Sequence, residues 1–145
     1  MCAKRGGVLI GRAVLAEEHE ELCAIAKQIL AEIEADGPSD ALSGLRWRLN
    51  RVLTKHLAME DRLLYPMLLA NRKTAPLAEP LLVDVAAMAE AFASYHAAWP
   101  IERIQNEWVA FRTATREILQ ALRRRILREE HDLFPRVSWP GADDR

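Results

Sequence analysis

His56-Leu57-Ala58-Met59-Glu60-Asp61-Arg62-Leu63-Leu64-Tyr65-Pro66 is the stretch from which the rest of the chain can be read. On an α-helix, residues four apart lie one above the other on the same face. His56 and Glu60 therefore point the same way, an imidazole and a carboxylate within reach of one ion. The apolar stripe around them runs Leu42, Leu45, Leu49, Val52, His56, Glu60, Leu63, Met67. Its steps alternate three and four, so both polar residues lie on the side that faces a core. Buried carboxylates are rare unless paired or bound to metal.

Working outward, this helix spans about Ser39 to Ala70, and three more share its period. The first runs from about Ala13 to Ala35 with the stripe Leu15, His19, Leu22, Ala26, Ile29, Ile33, so a second histidine faces the core. Asp36-Gly37-Pro38-Ser39 ends it with a glycine stop, a proline and a fresh capping residue. Asn71 to Pro80 reads as a connector with two prolines. The third helix, about Leu81 to Ala98, has the stripe Leu81, Val85, Met88, Phe92, Tyr95, Trp99. The fourth, about Ile101 to Phe134, has Trp108, Phe111, Thr115, Ile118, Leu122, Arg125, Glu129, Asp132. No alternating β-branched run appears, apart from a weak Gly7-Val8-Leu9-Ile10. The reading is one all-α domain, an up-down-up-down four-helix bundle of residues 13–135. Residues 1–12 read as an irregular N-terminal segment and residues 136–145 as a loose tail.

The totals bound the function. The chain has 145 residues, 50% hydrophobic and 28% charged, enough for one domain with a real core. A net charge of −1 gives no basic field for nucleic acid. Cys2 and Cys23 make no disulfide framework. Lys4 and Arg5 before a short apolar run imitate a signal peptide, but Arg12 breaks it. No run is long enough to span a bilayer. A cytoplasmic protein is the expectation, with homodimerisation open. No nucleophile–base pair or phosphate loop is visible, so binding is expected rather than turnover.

The second half echoes the first at an offset of about 69 residues. Glu60-Asp61-x-x-Leu64-Tyr65-Pro66 matches Glu129-Glu130-x-x-Leu133-Phe134-Pro135. At that offset His56 falls on Arg125 and His19 on Met88. At these residues the chain resembles the hemerythrin-like family, the HHE cation-binding domains. The family pattern is a histidine on helix one, His-x-x-x-Glu on helix two, and the same again on helices three and four. His19, His56, Glu60 and Leu64-Tyr65-Pro66 match it; the second half keeps Glu129 and Leu133-Phe134-Pro135 but has Met88 and Arg125 in place of histidines. The resemblance implies a four-helix bundle with a non-haem di-iron centre, used for oxygen or nitric oxide binding or for iron and redox sensing. With two histidines replaced, one or two iron ions are expected here, for sensing, storage or ligand binding.

The candidate metal ligands are His19, His56, Glu60 and Glu129, and imidazole with carboxylate suits iron, manganese or zinc. Arg125 leaves a second reading open. A guanidinium can hold Glu60 and Glu129 in a buried salt bridge, making a metal-free structural or interaction module. Met88 reads as core packing. A third reading is zinc, through His19, Cys23, His56 and Glu60 if Cys23 turns inward; otherwise Cys23 is a small buried hydrophobe. His96 is placed at a stripe edge, His131 toward solvent, Trp47 on a flank, and Trp99 and Trp108 in the core or at the open end.

Overall fold

The computed structural model describes residues 11–140; Gly7-Val8-Leu9-Ile10 and most of the N-terminal segment lie outside them, as do the last five residues. Every regular element among the described residues is helical. Helix α1 is Arg12–Glu32, α2 is Asp40–Met59, α3 is Tyr65–Leu69, α4 is Ala75–Ala98, α5 is Ile101–Asn106 and α6 is Trp108–Arg128. A π turn, Glu60–Leu64, joins α2 to α3, and a second, Glu129–Leu133, follows α6 and leads into a 3₁₀ turn, Phe134–Arg136. Each of the four long helices touches two others, in the cyclic order α1, α2, α4, α6. None of the described helices is long and apolar enough to cross a membrane.

The stripes of α1 and α4 are buried as their spacing predicts, with Leu15, His19, Leu22, Ile29 and Ile33 inside on the first. The other two stripes shift at the π turns. Leu63 is 38% exposed while Leu64 is fully buried. Asp132 is likewise exposed and Leu133 buried. A π turn bonds i to i+5 and so takes about one residue more per turn. The core face therefore advances by four at that point, from Glu60 to Leu64 to Leu68, where the alternating pattern predicts a step of three. Backbone angles stay helical through Met59, Glu60, Leu64 and Tyr65, so α2, the turn and α3 form one rod.

Several boundaries differ from the sequence reading. The connector before α4 is only Ala70–Thr74, and the helix starts at Ala75 rather than Leu81. Pro76 lies in its first turn, where a missing N–H leaves no bond unmade. Thr74 closes the connector by donating its hydroxyl to the Leu68 carbonyl at 2.6 Å. The fourth segment breaks at Glu107 (φ −128°, ψ 50°), which separates α5 from α6. Just after the break, the Trp108 indole N–H reaches the Ala35 carbonyl at 3.0 Å. Ser39 stands at the N-cap of α2, but its hydroxyl bonds Glu32 at 2.6 Å rather than capping the helix. Val137 and Trp139 pack against the core, and Trp139 Nε1 donates to the Phe134 carbonyl at 3.2 Å, so the chain beyond Pro135 is tied down at least that far.

One buried charge escaped the stripes. Arg46, not Leu45, is the more buried of that pair. Its guanidinium carbon lies 5.3 Å from the ring centroids of both Tyr95 and Phe111, and its Nη1 donates to the Trp99 carbonyl. Aromatic faces and a carbonyl, rather than a carboxylate, hold this cation inside.

Candidate metal centre

Two histidines and two carboxylates converge where the two π turns begin. His19 comes from the second turn of α1 and His56 from the last turn of α2. Glu60 and Glu129 are each the first residue of a π turn. All four are at most 2% exposed. One donor atom from each lies within 4.8 Å of the others. His19 Nε2 is 3.1 Å from Glu129 Oε2, and His56 Nε2 is 2.9 Å from Glu60 Oε1.

The outer faces of the imidazoles meet further carboxylates. His19 Nδ1 is 3.0 Å from Glu130 Oε1, and His56 Nδ1 is 3.6 Å from Glu18 Oε2. A carboxylate on the far nitrogen fixes the tautomer that leaves Nε2 free to donate its lone pair. Phe134 stacks flat on His19, with ring centroids 5.4 Å apart and planes 2° from parallel. Residue spacing alone did not reveal Glu18 and Glu130 in this role. Their adjacency to His19 and Glu129 was the available signal.

Arg125 occupies the other side. Its Nη2 lies 2.9 Å from Glu129 Oε1 and 3.3 Å from Glu60 Oε2, and its Nη1 donates to the Leu81 carbonyl at 3.2 Å. The same Nη2 donates to the Tyr65 hydroxyl at 3.2 Å. Each carboxylate is thus divided: one oxygen faces the histidines and the other is held by the guanidinium. Tyr65 is the functional neighbour that sequence reasoning passed over, although it sits inside the opening motif.

Charge is distributed unevenly across the cluster. Burial works to lower the His56 pKa, but Glu18, Glu60 and Glu129 outweigh it and raise it to about 10. Burial works to raise Glu60, yet its contacts with His56 and Glu129 and the charges of His56 and Arg125 hold it below the usual carboxylate range. Glu129 is pushed up by burial and by the facing Glu60. Two facing carboxylates do not both ionise freely unless cations neutralise them, and Arg125 supplies one such charge. The Tyr65 hydroxyl is pushed up by burial and both carboxylates, so it stays protonated.

The donor set fits one metal ion. His19 Nε2, His56 Nδ1, Glu60 Oε1 and Glu129 Oε2 are buried and have no hydrogen-bond partner of acceptable geometry, one atom on each residue of the convergent set. Unpartnered buried donors and acceptors are uncommon unless something else satisfies them. Two imidazoles and two carboxylates suit iron, manganese or zinc. The far oxygens go to Arg125, and no second convergent set of donors occurs among the described residues.

The remaining candidates stand apart. Cys23 is exposed, contrary to the expectation of a small buried residue, and it is not among the convergent donors. One turn beyond His19 it falls on the solvent side of the stripe, so the zinc reading loses its sulfur. Met88 packs half-buried against the core and takes no part in the cluster. His96 is half-buried edge-on to Tyr95, and His131 is exposed. A groove of about 840 Å³ between α1 and α6 is lined by His19, Leu22, Ala26, Ile126 and Glu130, so of the four convergent residues it reaches His19 alone.

A family model described as the hemerythrin HHE cation binding domain matches residues 11–137. Neither curated proteins nor solved structures gave a match.

Proposed function

We propose, from the premise that the chain belongs to the hemerythrin HHE cation-binding family, that it binds one non-haem iron ion through His19, His56, Glu60 and Glu129. The helices are taken to run up-down-up-down, so that the two repeats face each other across the centre. Iron held there supplies a coordination position for a small diatomic ligand such as oxygen or nitric oxide. The role that fits is sensing, storage or ligand binding rather than turnover. The chain's own part is to hold the ion and exclude water. Glu130 orients the His19 imidazole, Glu18 places a negative charge beside His56, Phe134 covers His19, and Arg125 fixes both carboxylates.

The observation that carries this reading is the set of buried donor atoms without partners that converge on one point. Its test is metal analysis of protein purified without chelator, together with an optical spectrum. About one iron per chain is expected. A chain that stays metal-free after incubation with Fe(II), Mn(II) and Zn(II) would overturn it.

One observation favours a second reading. Arg125 already pairs with both Glu60 and Glu129. A metal-free bundle stabilised by that pairing, acting as a structural or interaction module, is what the negative metal result would leave standing.

A further inference from the structure

Arg125 brings into the centre a positive charge that no metal exchange can remove. Its guanidinium does not deprotonate in a protein. It is 6% exposed and pinned by Glu60, Glu129, the Tyr65 hydroxyl and the Leu81 carbonyl. We infer that Arg125 makes the centre selective for a single divalent ion over a trivalent one, an inference that rests on the metal-binding reading above.

The charge count gives the direction. Glu60 and Glu129 bring two negative charges and Arg125 one positive, which leaves one net negative charge for an ion beside neutral imidazoles. A divalent ion exceeds that by one charge and a trivalent ion by two. Excess like charge in a buried site is poorly screened. Glu130, 38% exposed, is screened by solvent. Glu18, 15% exposed, offsets part of the excess from behind His56 and does so equally in parent and Arg125 variants, so it does not change the direction. Arg125 has no such exposure.

Hydrogen bonding acts in the same sense. The guanidinium donates to Glu60 Oε2 and pairs by charge with Glu129 Oε1, the partner oxygens of the two that face the histidines. A carboxylate that shares its charge with a cation on one oxygen donates less through the other. A trivalent ion depends more on that donation than a divalent one. Arg125 also stands four residues before Glu129 on the same face, the place of His56 relative to Glu60 in the other half.

Equilibrium dialysis with Zn(II) and Ga(III), two redox-inert probes, tests this on parent, Arg125→Gln and Arg125→Lys. Removing the charge should shift the Ga(III)-to-Zn(II) affinity ratio toward Ga(III) by roughly tenfold or more. Arg125→Lys should keep the parent's ratio, because it keeps the charge and loses only the fork. An unchanged ratio in Arg125→Gln overturns the inference while leaving metal binding intact. Should Arg125→Gln not fold, the parent still decides: Ga(III) raising its melting temperature as much as Zn(II), at matched free concentrations, overturns the inference. A parent that binds neither ion overturns the metal reading and this inference with it.

Discussion

The two halves of this bundle share a backbone and differ in what they do with it. A π turn begins at Glu60 and another at Glu129, each at the first carboxylate of its motif and each five residues long. Both turns re-aim the core face by one residue, burying Leu64 and Leu133. The first half places an imidazole ahead of its glutamate; the second places a guanidinium there. The aromatic residue of each motif serves the opposite half. Phe134 stacks on His19, whereas the Tyr65 hydroxyl meets Arg125. A repeated scaffold thus holds the candidate metal donors on one side and a fixed cation on the other, joined by two carboxylates that face both.

The largest effects should come from removing either side. His56→Ala should reduce bound metal from about one ion per chain to near none, whereas His131→Ala and Cys23→Ala leave metal content unchanged. Loss of metal on mutating exposed His131 would break the assignment of the donor side. On the cation side, Arg125→Ala removes the one permanent cation that two buried carboxylates share, leaving them only the imidazoles. The metal-free protein should lose about 3–5 kcal/mol of stability, read from denaturant unfolding with chelator present. A loss within experimental error would mean that the pairing is not buried in solution.

Making the halves alike should sharpen the contrast. Arg125→His removes the guanidinium and adds a nitrogen donor on the face of Glu129. Combined with Met88→His it should raise iron content above that of the parent, toward two ions per chain. Iron content no higher than the parent's would show that the repeat, read at an offset of 69 from Glu60 to Glu129, does not extend to ligand geometry.

A smaller effect should separate the two imidazoles. Glu130 lies 3.0 Å from His19, but Glu18 lies 3.6 Å from His56, beyond hydrogen-bond range. Losing a carboxylate behind a ligating histidine weakens metal binding by about 10–100-fold. Glu130→Gln should fall in that range and Glu18→Gln below it, measured by competition with a chelator. The reverse order would mean that His56, not His19, is the more strongly oriented ligand.

How much of this was legible beforehand follows from what a stripe can encode. His19, His56, Glu60, Arg125 and Glu129 all lie on apolar periodicities, so their convergence could be read from spacing and the internal repeat. The π turns could not, because Leu63 and Leu64 are both leucine and either could face inward. Glu18, Glu130 and Arg46 lay outside the stripes, and their roles depend on distances between helices. Asn71 to Pro80 reads as a connector because proline usually interrupts a helix, yet Pro76 sits in the first turn of α4 and Pro80 lies inside the helix. Cys23 follows the buried Leu22 at the edge of the α1 stripe, where a small residue can face either way, and it faces outward.

The finest test of the two-sided centre is Tyr65→Phe, which makes the aromatic residue of the first motif match Phe134. The ring fills the same space and is fully buried, so packing should survive. What goes is one hydroxyl, which accepts from Arg125 Nη2 at 3.2 Å and stands 3.5 Å from Glu129 Oε1. Arg125 keeps both carboxylates, so no charge is left unpaired and the loss is that of an ordinary buried hydrogen bond, about 1 kcal/mol. For a chain of this size that lowers the melting temperature of the metal-free protein by roughly 2–4 °C. Metal content and affinity should not move, because the oxygens and nitrogens facing the ion are untouched. A tenfold or larger drop in metal affinity with little change in melting temperature would place Tyr65 among the donors. The centre would then have one side rather than two.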